Sequence, residues 1–125
     1  DFEEIFQSVL DCDVIIPATP IYTFFCTAPM KALLDRTQRY FEARFSLGVR
    51  HPIKKRRQAV LLLAMGQQED FALEVTAYQL QRAFSVMNTE LSGCAVWDGT
   101  DRGRQNQGPA QQKARALALE ILAGI

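Results

Sequence analysis

Apolar positions along the chain change their period several times, and each change marks an element. Phe2, Ile5, Phe6, Val9 and Leu10 recur at helical spacing through "DFEEIFQSVLDCD", which predicts an amphipathic helix. The spacing then collapses into the continuous β-branched run Val14-Ile15-Ile16, the pattern of a strand covered on both faces. Pro29 suits the first turn of a helix, and Met30, Leu33, Leu34, Thr37, Tyr40 and Phe41 continue it as one stripe. Gly48 and Pro52 mark a loop over residues 46–52. Ala59 to Ala64 is a second buried strand, with Gly66 at its turn. Asp70 reads as the N-cap of a helix from Phe71 to about Met87, with Leu73, Val75, Ala77, Leu80 and Phe84 on its apolar side. "TELSGCAVW" is a third strand, and "DGTDRGRQNQGP" is a polar loop with three glycines. Pro109 opens a last helix that turns Ala114, Leu117, Ala118, Ile121 and Leu122 to the core.

The order α-β-α-β-α-β-α predicts an α/β sandwich, a parallel sheet covered on both faces and joined by right-handed crossovers. Three strands make a small sheet whose first strand is as apolar as its middle one. An edge strand of that kind invites pairing with another chain. The expectation is one domain over residues 1–125, N-terminally truncated, its free edge covered by preceding strands or by another chain. The start at Asp1 without methionine agrees with it.

Composition narrows the function classes. The 125 residues carry 48% apolar and 22% charged side chains and a formal net charge of zero, which gives no general attraction to nucleic acid or anionic membrane. The basic run Lys54-Lys55-Arg56-Arg57 reads as a solvated approach to a strand, with a phosphate-binding patch as the alternative. Cys12, Cys26 and Cys94 are widely spaced, so no metal-binding pair is suggested, and free thiols fit a reducing cytoplasmic setting. No apolar run reaches the roughly 18 residues that cross a bilayer. His51, the single histidine, has no partner cluster and is not expected to be catalytic.

One loop departs from the polar rule for surface connections. Thr19-Pro20-Ile21-Tyr22-Thr23-Phe24-Phe25-Cys26-Thr27 is aromatic where the first strand hands over to its helix. In open α/β sheets, ligands bind beyond the carboxyl ends of the strands. From the pattern alone, Tyr22, Phe24 and Phe25 wall a ligand, pack under the helix, or form a dimer contact. Lys31, Asp35 and Arg36 read as a helix-surface pair and a solvated arginine.

The motifs Ala18-Thr19-Pro20-Ile21-Tyr22, Thr27-Ala28-Pro29-Met30-Lys31 and Asp35-Arg36 resemble the signature of the NADPH-dependent FMN reductase family, which includes multimeric flavodoxin-like and iron–sulfur flavoproteins. "RRQAVLLLAMGQQED" is similar to that family's fourth strand and its loop. The resemblance implies a flavodoxin-like three-layer α/β/α sandwich of which this chain supplies the last three strands. It implies FMN as cofactor and NAD(P)H as co-substrate, with flavin, a quinone or another small molecule as electron acceptor and no obligatory side-chain acid or base. A flat electron-poor ring is matched by aromatic walls, and its edge by backbone donors and acceptors. The implied cofactor-binding residues are Thr19, Pro20, Ile21, Tyr22, Thr23, Phe24 and Cys26 on one side, and Met65, Gly66 and Gln67 on the other.

The family's phosphate loop after the first strand has no counterpart here, and Gly99-Thr100-Asp101-Arg102-Gly103 is a poor substitute because it carries an aspartate. The family also implies homodimers or tetramers, for which Tyr40, Phe41, Phe45 and Leu47 offer a contact patch, with core packing as the alternative. A flavodoxin-type electron carrier and a cofactor-free interaction module are the rival readings. A dinucleotide-binding Rossmann domain lacks its GxGxxG motif here.

Overall fold

The computed structural model describes residues 2–103 and 107–124. Its elements are α1 (Phe2–Asp11), β1 (Val14–Ile15), β2 (Ala18–Pro20), α2 (Ala28–Asp35), α3 (Gln38–Phe45), β3 (Arg57–Ala64), α4 (Asp70–Val86), β4 (Thr89–Trp97), a 3₁₀ turn (Thr100–Arg102) and α5 (Gly108–Gly124). Every strand pairing is parallel, and β3 lies at the centre. β1 and β2 share one edge of β3 in one register: Val14 lies opposite Gln58 and Ala18 opposite Leu62. They are one strand interrupted at Pro17, which has no N–H to donate, while its carbonyl still accepts from the Leu62 N–H at 2.9 Å.

Alternation along β3 builds the layers. Ala59, Leu61 and Leu63 join Phe6, Leu80, Phe84 and Met87 in the larger core, whereas Val60 joins Leu117 and Ile121 of α5. Successive strand residues point to opposite faces, so α1 and α4 cover one face and α5 the other. Gly93 permits the second contact, because a Cβ there would lie 2.5 Å from Leu117 Cδ2. This is the expected three-layer α/β/α sandwich with a parallel sheet.

Four details differ from expectation. The first strand is half-buried and Ile16 is exposed, because no helix among the described residues covers that part of the α5 face. The stripe from Met30 to Phe41 divides into two helices: the N–H groups of Arg36 and Thr37 bond back to Leu33 and Leu34, and the Thr37 hydroxyl also donates to the Leu34 carbonyl. Glu69, in extended conformation, is the N-cap of α4, and Asp70 is already helical. On α5, Leu117 and Ile121 are buried but Leu122 is exposed; it borders an apolar cavity of about 330 Å³ with Val14, Ile16, Ala114 and Ala118. Within the glycine-rich loop, Arg104 to Asn106 lie outside the described residues.

The basic run has a structural task that the sequence reading missed. Arg57 is 3% exposed, and its guanidinium donates to the carbonyls of Leu10, Cys12 and Lys55. Lys55 donates to the Asp11 carbonyl at 2.7 Å and pairs with Asp13 at 2.9 Å, and this pairing holds the Asp13 carboxyl below its ordinary range. Two cations thus meet the open carbonyl end of α1, where both the orphan acceptors and the helix dipole favour positive charge. Arg56 pairs with Glu90 at 2.5 Å.

Candidate functional site

The turn after β2 is built under strain. Tyr22 and Phe25 exchange N–H···O bonds of 2.8 and 2.9 Å, closing a two-residue reversal in which Thr23 and Phe24 both have positive φ, 51° and 65°. Such turns ordinarily recruit Gly or Asn; a β-branched threonine there is an outlier. The surroundings hold it in place. Ile21 N–H donates to the Ala64 carbonyl at 2.8 Å, and the buried Thr76 hydroxyl of α4 donates to the Phe24 carbonyl at 3.4 Å. The Phe24 ring tilts against Phe71, with centroids 6.3 Å apart.

Opposite this turn lies the loop that leaves β3. Met65 N–H donates to the Trp97 carbonyl at 2.9 Å, and Thr100 and Asp101 N–H groups donate to the Met65 and Gly66 carbonyls at 3.3 and 3.0 Å. The 3₁₀ turn after β4 therefore clamps the loop after β3. Gly66 is required by that clamp, since a Cβ at this position would overlap the Asp101 carboxylate. Between turn and loop lies a cleft of about 240 Å³ lined by Ile21, Thr23, Phe24, Met65, Gly66 and Gln67, together with Glu69, Ala72 and Asp101.

Six of the ten residues expected at the cofactor thus share one cleft. Thr19 and Pro20 line a different cavity of about 430 Å³ on the α5 side, with Trp97 and Gln111. The Thr19 hydroxyl is spent inside the loop: it donates to the Pro20 carbonyl at 2.8 Å and accepts from the Thr27 N–H at 3.3 Å. Tyr22 projects into solvent, and Cys26 is buried; neither lines the cleft. Burial pushes the Cys26 thiol up, and that of Cys94 up to about 11, so both are neutral thiols near pH 7 and neither is a ready nucleophile. Lys31 and Asp35 form the expected helix-surface pair at 2.5 Å, while Arg36 lies over the Phe2 ring, 4.4 Å from its centroid.

Sequence reasoning missed Glu69, Ala72, Thr76 and Asp101. A signal was available for Asp101: β3 and β4 pair in parallel through Ala64 and Trp97, so the loops that leave them must be neighbours.

The residues fit a flat ring with a polar edge. Phe24, Ile21, Met65 and Ala72 supply apolar walls. Among the described residues, the backbone N–H groups of Thr23, Phe24, Gly66 and Gln67 engage no acceptor of the fold, which leaves donors for ring carbonyls.

A three-layer parallel sandwich with an aromatic cleft at the carboxyl end of its sheet defines the flavodoxin-like class of proteins. Within it, the chain belongs to the NADPH-dependent FMN reductase family, whose model matches residues 1–99 and whose members use FMN with NAD(P)H as electron donor. Solved structures share the fold. The Trp repressor binding protein from Bacillus subtilis aligns with TM-score 0.61 and 23% identity, over 94% of this chain and 67% of its own. An NADH:FMN oxidoreductase in its apo form gives 0.61 and 19%, over 98% and 59%. An NADPH-quinone reductase from P. pentosaceus gives 0.58 and 19%, over 95% and 71%. The chain thus spans 59–71% of the length of these three. No curated protein sequence matches it. Among the described residues, no helix is long and apolar enough to cross a membrane, and no group of side chains could hold a metal ion.

Proposed function

We propose that the full-length protein is an FMN-dependent oxidoreductase that draws electrons from NAD(P)H and passes them to flavin, a quinone or a similar small acceptor. The observation that carries this reading is the cleft between the strained turn at Thr23-Phe24 and the loop Met65-Gly66-Gln67, in a chain of this family. FMN, when bound, supplies the hydride-accepting and hydride-donating chemistry. The chain's own residues bind and orient. Phe24, Ile21 and Met65 hold the ring by apolar contact, backbone N–H groups of both loops meet its carbonyls, and the Asp101 clamp fixes the distance between the loops. A rigid turn held off its preferred conformation is preorganised for this task.

Visible absorption of the full-length protein, with FMN and then riboflavin titrated in, tests the reading. FMN should bind and bleach on addition of NAD(P)H. Binding without bleaching would identify an electron carrier instead, and binding of neither flavin would sink the flavin reading.

The protein also works as a homo-oligomer in this proposal. Of the expected patch, Tyr40 instead stacks on Phe6 in the core with centroids 5.5 Å apart, whereas Phe41, Phe45 and Leu47 are exposed and the rings of Phe41 and Phe45 lie 4.7 Å apart. Exposed apolar groups gathered in this way mark contact surfaces. Phe45→Glu should lower the mass seen by light scattering, and an unchanged mass in a folded variant would reject the interface.

A further inference from the structure

The cleft between the aromatic turn and the Gly66 loop carries Glu69 and Asp101, and among the described residues no lysine or arginine lines it. In a chain of zero net charge, this is a local arrangement. Main chain holds both carboxylates at the cleft. Asp101 is anchored through its N–H to the Gly66 carbonyl at 3.0 Å, and its carboxylate fills the space over the Gly66 α-carbon. Glu69 is the N-cap residue of α4 but makes no side-chain cap bond, so the helix does not consume its charge. Neither has an ion-pair partner among the described residues, and Arg102, next to Asp101 in the chain, is not part of the lining. The half-exposed ring of Phe24 lines the cleft, and the exposed Phe71 ring lies against it with centroids 6.3 Å apart. Aromatic faces with fixed negative charge favour planar molecules that are neutral or cationic. A carboxylate or sulfonate on the incoming molecule meets like charge.

We propose that Asp101 and Glu69 make this cleft select its electron acceptor by charge, admitting planar neutral or cationic acceptors such as unsubstituted quinones and turning away anionic ones. The proposal rests on the oxidoreductase reading above and names the acceptor class of that same site. The reaction it constrains is balanced: a hydride leaves NAD(P)H, giving NAD(P)⁺, and with one proton from water it converts a quinone to the hydroquinone. The two residues are specificity determinants and take no part in the bond changes.

The test compares kcat/KM for 1,4-naphthoquinone and for its 2-sulfonate in the FMN-loaded full-length protein and in D101N, E69Q and the double variant. Differences in intrinsic reactivity cancel when the ratio of the two rates is compared between proteins. The sulfonate-to-parent ratio should rise about fivefold in each single variant and about tenfold or more in the double, as expected for removal of one and two nearby charges in a partly solvated cleft. In the unmodified protein the ratio should also rise as salt screens the cleft. A second readout needs no turnover: 1-methylnicotinamide, a pyridinium cation, should bind more tightly than nicotinate, an anion of nearly the same shape, and the double variant should narrow that difference. An unchanged ratio and unchanged binding preference in a double variant that holds FMN and reduces naphthoquinone would overturn the charge proposal while leaving the oxidoreductase reading standing. Failure of the unmodified full-length protein to bind FMN or to reduce either quinone would overturn the reading itself, and the charge proposal with it.

Discussion

The two ends of the sheet are built on opposite principles. At the amino end, Arg57 is buried and its donors are spent on carbonyls of α1 and the preceding loop. At the carboxyl end, two non-glycine residues, Thr23 and Phe24, sit in left-handed conformation, aromatic rings stand in solvent, and among the described residues some backbone N–H groups go unused by the fold. Polar groups at the first end are satisfied internally. At the second, the N–H groups of Thr23, Phe24, Gly66 and Gln67 meet no acceptor among the described residues. Stability and binding are thereby segregated along the strands, and substitutions at the two ends should separate in the same way.

The largest effect is expected at the amino end. Arg57→Met keeps an apolar stem but strips the donors from three carbonyls, each costing about 1–3 kcal/mol if left unmet in the interior. A loss of about 3 kcal/mol in urea unfolding is expected, with Arg57→Lys between the two because one ammonium cannot span the same three acceptors. FMN affinity of the folded variant should not change, since the cleft lies at the other end of β3. A loss below about 1 kcal/mol would show that water takes over those carbonyls.

Gly66→Ala transfers the question to the carboxyl end. The added Cβ displaces the Asp101 carboxylate, the mobile end of a side chain, so the stability cost should be about 1–2 kcal/mol. FMN binding should weaken by more than that loss alone would produce, because the clamp between the two loops opens. Equal and small effects on both would mean that the clamp does not set the cleft.

Much of the amino end and little of the carboxyl end was legible in the sequence. β3 announced itself because burial on both faces leaves a continuous apolar run, and α1 because one buried face leaves a helical period. The break between α2 and α3 was hidden, since Thr37 fits the stripe while its hydroxyl bonds to the preceding turn. The role of Arg57 was hidden too: a buried arginine answering carbonyls 45 and 47 residues away looks, in sequence, like one more member of a basic run. At the cleft, the aromatic loop was conspicuous and the family resemblance located it. Its partition between two cavities, with Thr19 and Pro20 on one and Thr23 and Phe24 on the other, depends on which side of the sheet edge the backbone passes. No residue pattern encodes that. Asp101 entered through strand pairing, a tertiary fact.

Phe24→Ala should weaken FMN binding by about three- to tenfold, the range of a lost aromatic contact, read by flavin fluorescence quenching. Phe24 is already half exposed, so the accompanying stability change should stay within about 1 kcal/mol. If stability falls further while affinity holds, the ring belongs to the core, and the contrast between the ends weakens.

The smallest effect has the opposite sign. Thr23 holds φ at 51°, where a branched Cβ crowds the backbone at a cost of about 1–2 kcal/mol. Asparagine tolerates that conformation, so Thr23→Asn should recover a fraction of the cost and raise the melting temperature of the flavin-free protein by about 2–4 °C. The same exchange at Thr37, whose backbone is right-handed and whose hydroxyl is bonded, should lower it. A gain at 23 with a loss at 37 would place stored strain at the cleft and nowhere along the neighbouring helices. A loss at both would mean that the Thr23 side chain, and not only its backbone, is part of what holds the turn, and the carboxyl end would then be less different from the amino end than its dihedral angles imply.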